Sequence, residues 1–482
     1  MARPRIVIVG AGPAGTRAAL TLARKGLRPT VIDEGERSGG QIYRRPPKDH
    51  RRSHKALYGD DAKKAEALHQ AFDAAVAAGQ VDHRPSTLAW AVREGHLHLA
   101  CEDEIERLGF DALILSVGAT DRVAPVRGWT LPGVYTLGAA QIALKAQGCG
   151  IGQRVAFVGS GPLLYLVAYQ YLLSGAPPAA VVDTDSFARK LASLPFLAVR
   201  PMQLLRGAKF LRALKRAGVP LMMGAQVHSI EADGDGAAHH VCLKTARGED
   251  LTVACDGVGI GHHLRAETQL ADLAGCDFAF RPASRQWLPV VDAMGRSSVP
   301  GVYLAGDGAR LMGADAAETA GELAALAALS DLGLAAPGMA AARLRLSRLR
   351  HIIFAAGVER GFAWPAAAVA GLDDGTMLCR CEAITVAEQR RAATALDASE
   401  VNRAKAFSRV GMGRCQGRYC ALAAAEIVAA ARAEPIAAAG RIRAQAPVKP
   451  VPFAARPRHT EDDRQDVPSA EDRAAQSAAQ PH

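Results

Sequence analysis

Apolar positions follow two different patterns along the first 330 residues. An unbroken apolar run from Ile6 to Val9 is followed by a glycine-rich turn, an amphipathic stretch from Thr16 to Lys25, and the segment "PTVID". This order predicts strand, turn, helix and strand. The same order returns about 150 residues later in "QRVAFVGSGPLLYLVAYQYLLSGA" and "AAVVDTD". Strands that alternate with helices predict an α/β fold with parallel sheets.

The pattern changes after about residue 330. The segment "AAARLRLSRLRHIIFAA" predicts a helix with Leu344, Leu346, Leu349 and Ile353 on its buried face. A small unit with paired cysteines follows between residues 375 and 431. Residues 440–482 are rich in proline, alanine and charge, so a mostly disordered tail is predicted.

Composition excludes several classes of protein. The 482 residues are too many for one ordinary core, and apolar residues make up 49% of them. No signal peptide and no apolar run of about 18 residues is present, so no membrane span is expected. The net charge of +10 comes with few aromatic residues and no nucleic-acid-binding motif, so no nucleic-acid partner is expected. Nine cysteines without a secretory context favour reduced thiols in the cytoplasm.

The first glycine turn has the features of a nucleotide-binding site. Gly10, Gly12 and Gly15 form G-x-G-x-x-G between a strand and a helix. Such glycines permit a tight turn, close approach of a pyrophosphate and close helix–strand packing. An acidic residue about 20 positions on is expected to bind a ribose hydroxyl, and Asp33 with Glu34 stands there.

Three further segments carry a family resemblance. They are "SGGQIYR" (38–44), "FDALILSVGAT" (110–120) and "VPGVYLAGDGA" (299–309). Together with the glycine turn, they resemble the glutathione and thioredoxin reductase family of flavoproteins, which has two Rossmann-like dinucleotide-binding domains. The resemblance implies bound FAD, with Asp307 on its ribityl chain and with Gly40, Gln41 and Thr120 close to the cofactor.

The second glycine turn departs from the full fingerprint. Gly159 and Gly161 match its first two glycines, but Leu164 stands at the third position. Asp183 ends the next strand and could bind a ribose. NAD(P)H, another nucleotide and an empty fold all remain open for this domain. Disulfide chemistry is excluded because no redox cysteine pair lies beside the flavin motifs, and no dedicated substrate site is recognised.

Four of the nine cysteines form two close pairs. Cys379 and Cys381 are separated by one residue, Cys415 and Cys420 by four, and thirty-three residues lie between the pairs. Four thiolates can hold a zinc ion or an iron–sulfur cluster, and C-x-C is unusual for zinc. The spacing resembles the helical [2Fe–2S] domain of bacterioferritin-associated ferredoxins, which implies a [2Fe–2S] cluster. Zinc remains the alternative.

The flavin motifs and the cysteine pairs, taken together, indicate a resemblance to a narrower group of proteins. "GWTLPGVYTLGAAQ" (128–141), "AGDGARLMGADAAETAGELAA" (305–325) and "GMGRCQGRYC" (411–420) resemble the α-type subunits of heteromeric FAD-dependent amino-acid dehydrogenases. That group includes opine oxidase A, hydrogen cyanide synthase B and hydroxyproline dehydrogenase α subunits. The resemblance implies an electron-transfer role, a partner β subunit that is FAD-dependent and oxidises amines, an external electron acceptor, and a cytoplasmic location or peripheral attachment to the inner membrane through that acceptor.

Two other functions stay open from the sequence. One is a self-contained NAD(P)H-dependent flavin oxidoreductase that feeds its own cluster, and the other is a non-catalytic nucleotide-binding scaffold. The predicted domain division is the same for all three functions. It comprises an FAD-binding domain (1–120 and 290–330), a second dinucleotide-binding domain (121–289), a helical linker (331–374), the cysteine domain (375–431) and the tail (440–482).

Overall fold

The computed structural model describes residues 3–47, 53–234, 236–336 and 338–458. The first unit begins at the N-terminus, and four buried β-branched residues form its first strand. Its elements are β1 (Ile6–Val9), α1 (Pro13–Ala23), β2 (Thr30–Ile32), α2 (His54–Tyr58), α3 (Ala62–Ala77), β3 (Asp82–Arg84), β4 (Thr87–Arg93), β5 (His96–Cys101), β6 (Glu104–Gly109), β7 (Ala112–Leu115) and β8 (Ala119–Asp121).

The second unit repeats the strand–glycine–helix start. Its elements are β9 (Val134–Thr136), α4 (Leu137–Ile142), β10 (Val155–Ser160), α5 (Pro162–Leu173), β11 (Ala180–Asp183), α6 (Phe187–Leu197), α7 (Pro201–Arg216), β12 (Leu221–Met223), β13 (Gln226–Ala232), β14 (Ala238–Lys244), β15 (Asp250–Ala254), β16 (Gly257–His262) and β17 (Leu264–Ala266). The chain then returns to the first unit through α8 (Gln269–Leu273), β18 (Phe278–Arg281), β19 (Gln286–Pro289), β20 (Val302–Leu304) and α9 (Ala314–Asp331).

Each unit is built on a five-stranded parallel sheet. The strand orders are β20-β7-β1-β2-β3 and β12-β11-β10-β16-β9. In both sheets the glycine turn follows a central strand, where ligands of open α/β sheets bind. The predicted α/β fold with two dinucleotide-binding units is therefore confirmed. Leu270, Ala271 and Cys276 pack in the core of the first sheet, so the second unit ends before them rather than at residue 289.

The C-terminal unit is mainly helical. Its elements are α10 (Met339–Gly361), α11 (Ala366–Ala370), β21 (Met377–Cys379), β22 (Ile384–Thr385), α12 (Val386–Thr394), α13 (Val401–Ser408), α14 (Ala421–Ala431) and β23 (Arg456–Pro457). A reciprocal capping box between Thr385 and Glu388 begins α12. The cysteine pairs lie in the β21–β22 hairpin and in the loop that leads into α14.

Helix α10 is a packed element rather than a free linker, and its predicted face is partly wrong. Leu346 and Leu349 are exposed, whereas His351, Ala355 and Val358 are buried. The difference arises because the second half of α10 packs on α6, where a Cβ on Gly357 would lie 2.8 Å from Phe196. Periodicity within α10 does not reveal which neighbour it meets.

The predicted disorder is also wrong for residues 440–458. Arg441 forms a bidentate ion pair with Asp272, the Val448 N–H donates to Trp90, and β23 pairs with β6. These partners lie about 170 to 360 residues away in the sequence, so local composition could not reveal them. Residues 459–482 of the predicted tail lie outside the described residues.

Candidate functional site

The first glycine turn is shaped around an open cradle. A Cβ on Gly15 would stand 2.6 Å from Ser116 Oγ and overlap the Gly10 carbonyl, so protein packing itself requires Gly15. Gly12 differs, because a Cβ there would meet only Gly40 Cα, at an ordinary 3.7 Å. Its φ of −75° suits any residue. The protein therefore leaves room at Gly12, beside the N-terminus of α1, where a pyrophosphate fits.

Gly40 and Gln41 lie on the other side of this cradle, and their contact with a cofactor stays a prediction. A Cβ on Gly40 would stand 2.9 Å from Gly12 Cα, so the two loops approach as closely as glycine allows. Gln41 is exposed and accepts a hydrogen bond from Arg44 at 3.0 Å. The structure thus brings together Gly12, Gly40 and Gln41 from two loops.

Asp33 fastens the glycine turn. Its carboxylate accepts hydrogen bonds from the Ala11 N–H and, at 2.6 Å, from the Gly35 N–H. Burial raises the pKa of Asp33, and these two backbone donors oppose that effect. Glu34 is exposed and forms an ion pair with Lys449. Sequence reasoning missed Lys449, because the C-terminal arm (residues 440–458) was not expected to pack on the first unit. A role of either acid on a ribose stays a prediction.

Two further residues predicted to contact the cofactor are Thr120, in β8, and Asp307, in the loop after β20. Thr120 Oγ1 is buried without a hydrogen-bond partner. Asp307 accepts hydrogen bonds from the Met312 and Gly313 N–H groups, at 2.8 and 3.0 Å, ahead of α9. Burial raises the pKa of Asp307. An unpartnered hydroxyl and a half-buried carboxylate beside the cradle fit a polar cofactor such as FAD.

The second glycine turn is already filled by the protein. A Cβ on Gly161 would stand 3.1 Å from His263 Cα, whereas a Cβ on Gly12 would make only an ordinary contact at 3.7 Å. Leu164 is fully buried in the core of the second unit. Gly159 approaches Gly261 so closely that a side chain would overlap its carbonyl. The predicted glycines are therefore in place, but they pack against the neighbouring strand and its end.

Asp183 is likewise engaged by its own chain. It is fully buried and accepts hydrogen bonds from Tyr165 Oη, at 2.5 Å, and from the Asp185 N–H, at 2.8 Å. Lys190 on α6 completes an ion pair with it. Tyr165 and Lys190 were not singled out in the sequence, although Lys190 follows the Ser186 N-cap that begins α6. Both carboxylate oxygens are thus occupied without a ribose.

The four paired cysteines meet in space. The interactions that shift the thiol pKa values join Cys379 most strongly to Cys420, and they also join Cys381 to Cys415. The pKa of Cys379 is lowered to about 6, first by its interaction with Cys420 and then by the N–H groups of Gly411, Glu382 and Cys381, while the pKa of Cys420 is raised. Across the described part of the chain, no three His, Cys, Asp or Glu side chains converge to hold one metal ion.

Comparison with known proteins identifies the chain. The pyridine nucleotide-disulphide oxidoreductase family matches residues 4–321, and the sarcosine oxidase A3 domain matches residues 377–457. The A subunit of opine oxidase from Rhizobium meliloti is 37% identical over 464 residues, covering 93% of this chain and 86% of the relative. The chain belongs to the family of opine oxidase A subunits. It is a flavin-dependent oxidoreductase subunit.

Two further relatives extend this result. Hydrogen cyanide synthase subunit HcnB of Pseudomonas aeruginosa is 34% identical over 94% of this chain and 98% of its own length. The crystal structure of L-proline dehydrogenase from P. horikoshii shares the fold, with a TM-score of 0.68 and 18% identity over 94% of this chain and 79% of that one. The A3 match also runs through the C-terminal arm, in agreement with its packing. No described helix has the length and hydropathy to cross a membrane.

The cysteine loop of this oxidoreductase is fastened to its flavin motifs. Arg418, between Cys415 and Cys420, forms a buried ion pair with Glu267 at 2.7 Å. The Glu267 N–H donates to the Gly118 carbonyl, in the same turn as Thr120. Glu267 and Arg418 thus connect the two candidate cofactor sites through a two-residue contact.

The paired strands β8 and β17 also connect the two candidate cofactor sites. Arg265 is the direct β-ladder partner of Thr120, and its guanidinium donates to the Gly417 and Arg418 carbonyls at 3.1 Å. Trp129, in the "GWTLPGVYTLGAAQ" motif, donates to the Met377 carbonyl at 2.6 Å. Trp129 therefore contacts the cysteine hairpin, which the sequence alone did not reveal.

Proposed function

We propose that this chain is the FAD- and [2Fe–2S]-containing electron-transfer subunit of a heteromeric amino-acid dehydrogenase. The substrate class would be a secondary amine, opine, hydroxyproline or glycine-type amino acid, oxidised by a partner subunit. The observation that carries the proposal is the contact between the two candidate sites, through Glu267–Arg418 and Arg265–Thr120. A direct contact of this kind is what a relay between two cofactors requires.

The flavin would be held by the residues around the open cradle. Gly12 and the N-terminus of α1 suit the pyrophosphate, and Asp307 with Thr120 offers hydrogen-bonding groups to the ribityl chain and ring system. When bound, FAD exchanges two electrons and a [2Fe–2S] cluster exchanges one at a time. The chain's own residues bind and orient these groups, and none of them is assigned a proton-transfer role.

The pairing of the thiols supports an iron–sulfur cluster over zinc. A single zinc ion needs four ligands that converge on one point. In a [2Fe–2S] cluster each iron takes two of the four cysteines. Cys379 interacts most strongly with Cys420, and Cys381 interacts with Cys415, an arrangement compatible with two ligands per iron. Thiolate ligands must stay reduced, so we propose a cytoplasmic location.

The contacts of the second unit favour a partner, rather than NAD(P)H, as the source of electrons. Lys190 and Tyr165 occupy the acceptor positions of Asp183 that a ribose would need, and His263 covers Gly161. A self-contained NAD(P)H oxidoreductase would need those positions open. We propose that the second unit supports the assembly without binding NAD(P)H.

This proposal predicts how the isolated chain responds to nicotinamide cofactors. NADH and NADPH should leave the flavin absorbance of the anaerobic chain unchanged, because the ribose site at Asp183 is filled. The Lys190→Ala variant should gain measurable nucleotide binding by calorimetry if Lys190 is what closes the site. Rapid bleaching of the wild-type flavin by NADH would instead support the self-contained reductase.

A further inference from the structure

Helices α6 and α7 present an apolar surface to solvent. We call it the α6–α7 face, and it consists of large apolar side chains that are 36% to 67% exposed: Phe187, Leu191, Leu194, Val199, Met202 and Leu205. Three of them recur at intervals of four and three along α6, so they share one side of that helix. The opposite side of α6 packs on α10, where Gly361 faces Ser193. Large apolar side chains that are exposed together on one side of a helix can mark an interaction site.

The charges around this face have one sign. Residues 187–216 contain no Asp or Glu, and they contain these cations: Arg189, Lys190, Arg200, Arg206, Lys209, Arg212, Lys215 and Arg216. Five of the eight form ion pairs with carboxylates of this chain: Arg189, Lys190, Arg200, Arg206 and Lys209. At the end of α7, Arg212, Lys215 and Arg216 are exposed without an ion pair to any described residue.

The α6–α7 face adjoins the candidate flavin site. Arg200 forms an ion pair with Asp315, in the first turn of α9. Two residues before Asp315, the Gly313 N–H donates to Asp307. Arg206 reaches Asp61 ahead of α3 with a bidentate contact of 2.7 and 3.1 Å. These bridges hold the face beside the loop that carries Asp307.

We propose that the α6–α7 face is the docking surface for the amine-oxidising partner, which would place an acidic patch against Arg212, Lys215 and Arg216. This inference rests on the proposed function, which requires such a partner. A second copy of this chain is disfavoured as the occupant, because an isologous contact would bring the unpaired Arg212, Lys215 and Arg216 of the two copies towards one another. A membrane is disfavoured because five of the eight cations are already paired with carboxylates of this chain, which leaves three to attract lipid phosphates.

Introducing charge into the face tests this proposal. The chain is co-expressed with the product of its neighbouring gene, and the Leu191→Glu, Met202→Glu double variant is compared with wild type. Both positions are more than half exposed, so FAD and iron content should not change. Buried carboxylates without partners should raise the Kd for the partner at least about tenfold, equivalent to about 1.4 kcal/mol.

Two other variants sharpen the test. Leu334→Glu is a matched control, because Leu334 is 46% exposed beyond the far end of α9, a helix of 18 residues. It should bind the partner like wild type. The charge reversals Arg212→Glu, Lys215→Glu and Arg216→Glu should slow association and weaken its salt dependence, since rim charges act mainly on the association rate.

Each outcome decides between the possible occupants. Unchanged partner affinity in the double variant would overturn the docking proposal, while amine oxidation by the same complex would leave the proposed function standing. Wild-type flotation with anionic vesicles, lost in the variant with partner binding intact, would assign the face to a membrane. Dimers lost in the variant would assign it to self-association. Failure of the wild-type chain to bind any partner would overturn the proposed function itself.

Discussion

Replacing any one of Cys379, Cys381, Cys415 or Cys420 by serine is expected to abolish the iron–sulfur cluster and to leave FAD bound. Two bridged irons need four thiolate ligands, and the loss of one leaves an iron incompletely coordinated. Iron and acid-labile sulfide should fall from about two each per chain, the stoichiometry of the cluster, to near zero. The flavin should remain because the cradle around Gly12 lies outside the cysteine domain.

The chain supplies two matched controls for these variants. Cys276 is buried but unpaired, and Cys149 is exposed. Cys276→Ser and Cys149→Ser should keep iron, sulfide and the low-temperature EPR signal of the dithionite-reduced protein. Wild-type protein with stoichiometric zinc and no labile sulfide would show that the four thiols form a structural metal site.

Gly12→Val and Asp307→Ala are expected to purify with little FAD. A valine at residue 12 has room in the ligand-free protein, since the nearest atom to its Cβ would be Gly40 Cα at 3.7 Å. The side chain would instead enter the space of the pyrophosphate. Asp307→Ala would remove the carboxylate beside the ribityl position. We expect FAD affinity at least about tenfold weaker in each, or about 1.4 kcal/mol.

Gly338→Val is the matched control for Gly12→Val. Gly338 is also a helix N-cap with negative φ and no atom within 4 Å of its would-be Cβ, but it precedes α10, away from the glycine turn. It should retain full flavin absorbance at a 1:1 ratio of FAD to chain. Full flavin occupancy in both Gly12→Val and Asp307→Ala would show that the first unit does not hold the cofactor.

The glycine turns were predictable because their signal is local. Strand β1, the turn at Gly10 and helix α1 lie within about 20 consecutive residues. Each is predicted by its own apolar periodicity and by the glycine and proline residues that mark its ends. The nearness of Cys379 to Cys381 could be anticipated in the same way, because both lie on one short hairpin. The spacing did not reveal which thiol would meet which.

Long-range contacts account for what the sequence did not predict. Lys190 of α6 and Tyr165 of α5 reach Asp183 from two different helices. Leu349 of α10 is exposed because the helix meets α6 with a different side. The arm at residues 440–458 is ordered by partners such as Asp272, far away in the chain. Neither propensity nor composition encodes such partners.

Electron delivery from an amine to the cluster tests the central claim most directly. The chain alone and the complex with its partner protein are each mixed anaerobically with glycine, proline derivatives and opines, frozen, and examined by EPR. The account predicts a reduced-cluster signal in the complex with at least one of these amines, and no signal or dye reduction in the chain alone. Amine oxidation by the chain alone, free of a second polypeptide, would contradict it.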